Sequence, residues 1–141
     1  VSEKPTAAFV LSLISGILVL LTALIMFVAA GLLSSVSGEF PEVPGMPYPL
    51  ELVGTWIAII GVVGLVFGVL IIVGAVLIYS GNPGRVKTGS ILVLIFSILS
   101  LFTVGGGFFI GFILGLIGGI LGLTWKPPVR QEPSMSGLPQ V

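Results

Sequence analysis

Five basic and five acidic residues are distributed so that three long stretches, residues 5–38, 52–84 and 88–125, contain no charge at all. These run for 34, 33 and 38 residues and consist mainly of leucine, isoleucine, valine and glycine. A chain this poor in charge cannot cover a water-facing surface, whereas a bilayer asks only for apolar helices of about 20 residues. At about 1.5 Å per residue the third stretch would make a rod of about 57 Å, too long for one crossing. Gly105, Gly106 and Gly107 lie near its centre, where consecutive glycines weaken a helix and permit a tight turn. The pattern predicts an all-α fold: an integral membrane four-helix bundle of two transmembrane hairpins, with helices over residues 7–33, 52–79, 86–103 and 108–125. It reads as a single domain.

Charge placement gives an independent reading of the same count. Lys4, Arg85, Lys87, Lys126 and Arg130 fall after zero, two, two, four and four crossings, so all five share one side. By the positive-inside rule that side is the cytoplasm, which places both termini there and makes the chain a multi-pass protein of the cell membrane. Glu39, Glu42 and Glu51 fall on the opposite face, in the loop 34–51. Trp56, Phe102, Phe108 and Phe109 then lie near the outer boundary, with Tyr79 and Trp125 near the inner one, as interfacial aromatics do. The first apolar run is longer than a typical signal-peptide core, so it is read as a retained span.

The first two helices are longer than the last two by about 15 Å, and the link between the hairpins, with Asn82-Pro83-Gly84, is short. Either the first pair tilts strongly or it projects beyond the membrane, and any projection is then on the outer face, next to a loop stiffened by Pro41, Pro44, Pro47 and Pro49. The proline-rich segment 126–141 is expected to be a disordered or extended tail.

Glycine spacing is the main positive signal. Gly107, Gly111, Gly115, Gly118 and Gly122 step by four, four, three and four residues. At about 100° per residue they occupy a strip roughly 80° wide. Gly54, Gly61, Gly64, Gly68 and Ala75 form a comparable strip on the second helix, and Ala8, Ser12, Ser15, Ala23 and Ala30 a milder one on the first. Such faces let helix backbones approach closely where lipid supplies no hydrophobic drive. They serve either to close the bundle on itself or to receive a helix from another subunit. Ser12-Leu-Ile-Ser15 and Ser97-Ile-Leu-Ser100 also match, on two helices that run the same way, which suggests a duplicated hairpin.

The chain has no cysteine and no histidine, which removes thiolate nucleophiles, imidazole catalysis and the usual haem and zinc ligands. With zero net charge it suggests no nucleic-acid surface. No Asp, Glu, Lys, Arg or His lies within the three charge-free stretches, where ion and proton carriers usually place an ionisable group. The hydroxyls of Ser12, Ser15, Thr22, Thr55, Ser90, Ser97, Ser100 and Thr103 are expected mostly to bond backbone carbonyls one turn earlier.

In length and helix count the chain resembles small multidrug transporters, but it lacks their first-helix glutamate. It is similar to duplicated rotor-ring proteolipids in its glycine-rich hairpins, without their mid-membrane carboxylate. Tetraspanins and claudins require outer-loop cysteines that are missing here. The stretch from Ile91 through SILSLF, a glycine cluster and FFIGFILGLIGGILGLTW resembles the closing hairpin of uncharacterised small four-span proteins of archaea and bacteria, and this resemblance implies no activity. The residues thus point to a non-catalytic structural or accessory subunit without cofactor or metal. Its partners would be the lipid bilayer and other membrane subunits or further copies of itself, met through the glycine faces. A channel or transporter for a small neutral solute is the alternative.

Overall fold

A computed structural model describes residues 5–39, 42–104 and 109–127. These form four α-helices: α1 (Thr6–Ser37), α2 (Leu50–Tyr79), α3 (Pro83–Val104) and α4 (Ile110–Thr124). Each packs on its two neighbours in a ring, with α1 against α2 and α4, and α3 against α2 and α4. Across the diagonal α1 and α3 touch only lightly. The expected turn at Gly105, Gly106 and Gly107, the tail beyond residue 127, and Lys4 and Arg130 lie outside the described residues.

The helix ends depart from the sequence reading in ways that local chemistry explains. α1 continues to Ser37 rather than stopping at Leu33, because Ser34, Ser35 and Ser37 donate to the carbonyls of Gly31, Leu32 and Ser34, three residues back. Serine here solvates the helix backbone instead of ending it. α2 starts at Leu50, where Pro49 is extended (ψ 144°) and its carbonyl accepts from the Leu52 and Val53 N–H groups. α3 starts at Pro83 rather than Val86. The Asn82 side chain accepts from the Gly84 N–H at 3.1 Å, and proline suits a first helical position because its missing donor has no intrahelical partner anyway. α4 is shorter than expected, since the chain enters it through Phe109 at φ 57°, a left-handed conformation that a bulky residue adopts at a cost of about 1–2 kcal/mol.

The four helices hold 32, 30, 22 and 15 residues, so at 1.5 Å per residue they span about 48, 45, 33 and 22 Å. α1, α2 and α3 are long and apolar enough to cross a membrane, and α4 is a shorter apolar helix. The α1–α2 pair therefore outruns the others. At its loop end Gly54 faces Ala30 and Leu33, a pairing made by these two helices alone.

Side-chain sizes are sorted in the reverse of a water-soluble bundle. Glycine, alanine and serine fill much of the interior, together with Val19, Ile71, Ile78, Val86 and Val93. Large aliphatic side chains point outward, with Leu32 65 % and Val76 56 % exposed. Two aromatic pairs tie neighbouring helices together: Phe9 with Tyr79 between α1 and α2, and Phe67 with Phe96 between α2 and α3.

Candidate functional site

Each helix contact runs through glycine. Between α1 and α2, a Cβ placed on Gly61 would lie 3.3 Å from the Ala23 carbonyl oxygen and from the Phe27 nitrogen, so backbone rests almost directly on backbone. At Gly68 the obstacle is Leu20, at 2.7 Å, and Gly16 reciprocates with the Ile72 side chain at 2.6 Å. Gly54 has ordinary van der Waals room, with Leu33 at 3.7 Å. Gly64 is buried as well. Between α2 and α3 the closest approach is at Gly89, where a Cβ would collide with the Gly74 carbonyl.

α4 carries the densest seam. Gly111, Gly115, Gly118, Gly119 and Gly122 are all buried. On the α1 side the Ser15 hydroxyl donates to the Gly111 carbonyl at 2.6 Å, and a Cβ on Gly118 would lie 2.5 Å from the Ser12 hydroxyl. Towards α3, a Cβ on Gly115 would fall on the Ser97 hydroxyl, one on Gly122 on that of Ser90, and one on Gly119 would meet Leu94 at 2.5 Å. Serine and glycine thus interlock across three helices, each hydroxyl standing where a side chain of α4 would have been.

Of the strip residues named from spacing, Gly111, Gly115, Gly118 and Gly122 come together here, and Gly54, Gly61, Gly64 and Gly68 lie on the buried side of α2. Gly107 lies outside the described residues. Among the described residues no glycine of these strips faces outward. Gly119 was missed because it falls outside the 80° strip, yet it receives α3. Spacing also left the serines unassigned to α4. The two matching Ser-x-x-Ser motifs prove informative together, since Ser12 and Ser15 from α1 and Ser97 from α3 meet the same strip from opposite sides.

The expectation that hydroxyls bond their own helix holds for Thr22, Thr55, Ser90 and Ser100, which donate to the carbonyls of Leu18, Glu51, Val86 and Ser97. It fails for Ser15, which reaches another helix. It fails again for Ser12 and Ser97, whose hydroxyls are fully buried with no hydrogen-bond partner among the described residues. An unsatisfied buried hydroxyl costs about 1–3 kcal/mol, so these two are a local weakness in an otherwise close seam.

At the loop end, residues 42–49 line an open cavity of 540 Å³, and a 350 Å³ groove runs between α1 and α2 beside Gly31, Gly54, Ala58 and Glu51. Gly31 faces open space, with nothing within 4 Å of a Cβ built on it. Among the described residues no three histidine, cysteine, aspartate or glutamate side chains gather as a metal site.

No curated protein and no solved structure gives a significant match to the chain. A family match covers residues 4–103, which takes in α1, α2 and nearly all of α3 and stops before α4. Of the closing hairpin that carries the sequence resemblance, only the α3 half lies inside it. With more than two thirds of its length matched, the chain belongs to the family described as protein of unknown function (DUF4064).

Proposed function

We propose that this protein is a non-catalytic, multi-pass subunit of the cell membrane that crosses the bilayer four times and stabilises or accompanies a larger membrane assembly. One observation carries the reading: large aliphatic side chains face outward around a glycine and serine interior. Exposed aliphatic surface on this scale is tolerated in hydrocarbon and not in water. Arg85, Lys87 and Lys126 belong to the end opposite the acidic loop, which supports a cytoplasmic location for that end. α4 spans only about 22 Å against a hydrocarbon core of about 30 Å, so its crossing calls for local thinning or a neighbour that shields its tip.

The glycine strips support close packing within the subunit, and contact with other subunits falls to the outer surface. The α1–α2 groove at Gly31 offers such a surface, because a side chain there meets no atom of its own chain. The deciding experiment is blue-native electrophoresis and cross-linking of the protein extracted from its own membranes in mild detergent, comparing wild type with Gly31→Leu. The proposal expects an assembly larger than the subunit that is weakened by the substitution. A wild-type chain migrating alone would count against it.

A second reading, passage of a small neutral solute, draws on five fully buried hydroxyls in the bundle, those of Ser12, Ser15, Ser90, Ser97 and Ser100. Solute flux into liposomes containing the purified protein decides that reading, and impermeable vesicles would remove it.

A further inference from the structure

We infer that the outward groove between α1 and α2 holds a lipid of the outer leaflet, its acyl chain against leucines and its headgroup, ending in a primary ammonium, at Glu51. The inference rests on the four-crossing reading and names lipid as an occupant of the groove proposed above for subunit contact. Two hollows follow one another along these helices. The first, of 280 Å³, is lined by Ile17, Leu20, Leu21 and Leu24 of α1 and Leu65 of α2. The second, of 350 Å³, lies between Phe27, Gly31 and Ser34 of α1 and Glu51, Thr55 and Ala58 of α2. Ile17, Leu20, Leu24, Phe27, Gly31 and Ser34 recur every three or four positions. Both hollows therefore open on one stripe of α1, their centres about 15 Å apart along it.

Helix length sets their depth. A hydrocarbon core of about 30 Å takes about 20 helical residues, so its outer half holds about residues 16–25 of α1, counted from Thr6, and about residues 60–69 of α2, counted back from Tyr79. The two counts agree. They put the leucine-lined hollow among the acyl chains of the outer leaflet and the second hollow among the headgroups.

Headgroup chemistry follows from what the second hollow offers. The Ser34 hydroxyl donates to the Gly31 carbonyl at 3.1 Å, and the Thr55 hydroxyl to the Glu51 carbonyl at 2.9 Å, so both hydrogens are engaged within their own helices. With the Glu51 carboxylate, the polar side chains here present acceptors only. Between Lys4 and Arg85 the only charged side chains are Glu39, Glu42 and Glu51. Such a surface repels an anionic headgroup and finds no N–H on a choline. It suits a primary ammonium, which brings positive charge and three donors.

Native mass spectrometry of the delipidated full chain tests this, with ethanolamine, choline and glycerol phospholipids of identical acyl chains added in equal amounts. The ethanolamine lipid is expected to lead the one-lipid adducts of the subunit by about two- to fivefold, the range of a solvent-exposed ion pair. Glu51→Gln should remove that preference, Glu42→Gln should keep it, and Gly31→Leu should lower all three adducts. Equal adducts, or a preference for choline or glycerol, would overturn the inference. So would an ethanolamine preference that survives Glu51→Gln or depends on Glu42 instead. The wild-type ranking decides even if a variant fails to fold. Because the adducts are read on the single subunit, a missing preference with the assembly intact sinks the lipid site alone, while a preference kept by a chain that migrates alone sinks the assembly reading alone.

Discussion

The Ser15 hydroxyl donates a 2.6 Å hydrogen bond to the Gly111 carbonyl, joining residues 96 positions apart in the chain and tying α4 to α1. The bond uses a carbonyl that no side chain on α4 shields, because the residue is glycine and its neighbours along the strip are glycine too. Removing the hydroxyl takes this polar link out of the crossing. Ser15→Ala should therefore destabilise the bundle by about 0.5–1.5 kcal/mol. Ser90→Ala should cost less, since the Val86 carbonyl that Ser90 uses belongs to its own helix. Parallel unfolding titrations of the two variants in mixed micelles test the order, and equal midpoints would show that the cross-helix bond adds nothing.

Gly115 and Gly31 make a matched pair of opposite sign. A Cβ at Gly115 collides with the Ser97 hydroxyl, while one at Gly31 meets nothing. Gly115→Ala is expected to lose about 1–3 kcal/mol from overpacking. Gly31→Ala should be neutral or gain up to about 1 kcal/mol, because alanine loses less backbone entropy in a helix. Thermal unfolding of both variants checks the contrast, which vanishes if the seam opens without penalty.

Backbone and side-chain obstacles also predict different costs between helices. Gly89→Ala drives a Cβ into the Gly74 carbonyl, which cannot yield without separating α2 from α3. Gly68→Ala meets chiefly the Leu20 side chain, which can change rotamer. The first variant should be the less stable in the same titration. It should also weaken an engineered cross-link between α2 and α3 that the second leaves intact.

Placement across the bilayer is tested by single cysteines in this cysteine-free chain. Asn82→Cys and Lys126→Cys are expected to react with an impermeant maleimide only from the cytoplasmic side, and Pro44→Cys only from outside. Labelling of residues 82 and 126 from opposite sides would rule out four crossings.

Local and long-range interactions were unequally legible in the sequence. The number, order and approximate limits of the helices were legible from residues 5–38, 52–84 and 88–125, because hydropathy and charge act within about 20 residues of each other. The ends were less legible, since Ser34, Ser35 and Ser37 look like a loop until their hydroxyls are seen to bond the helix carbonyls, and Asn82-Pro83 looks like a turn until Asn82 accepts from Gly84.

The strip on α4 was visible as a 3.6-residue period, but its partner was not. Only the packed bundle decided that the strip faces inward, that Gly119 widens it towards α3, and that Ser12, Ser15, Ser90 and Ser97 fill it. The reason is physical. A helix face is a local property of spacing, whereas the neighbour it meets depends on the rotation and crossing of helices separated by up to a hundred residues, and nothing in a run of glycine and leucine encodes that rotation. The sequence alone therefore determined four apolar helices and small-residue faces on three of them, the densest on α4. Tertiary packing decided which hydroxyls that face would shelter and which two would be left without a partner.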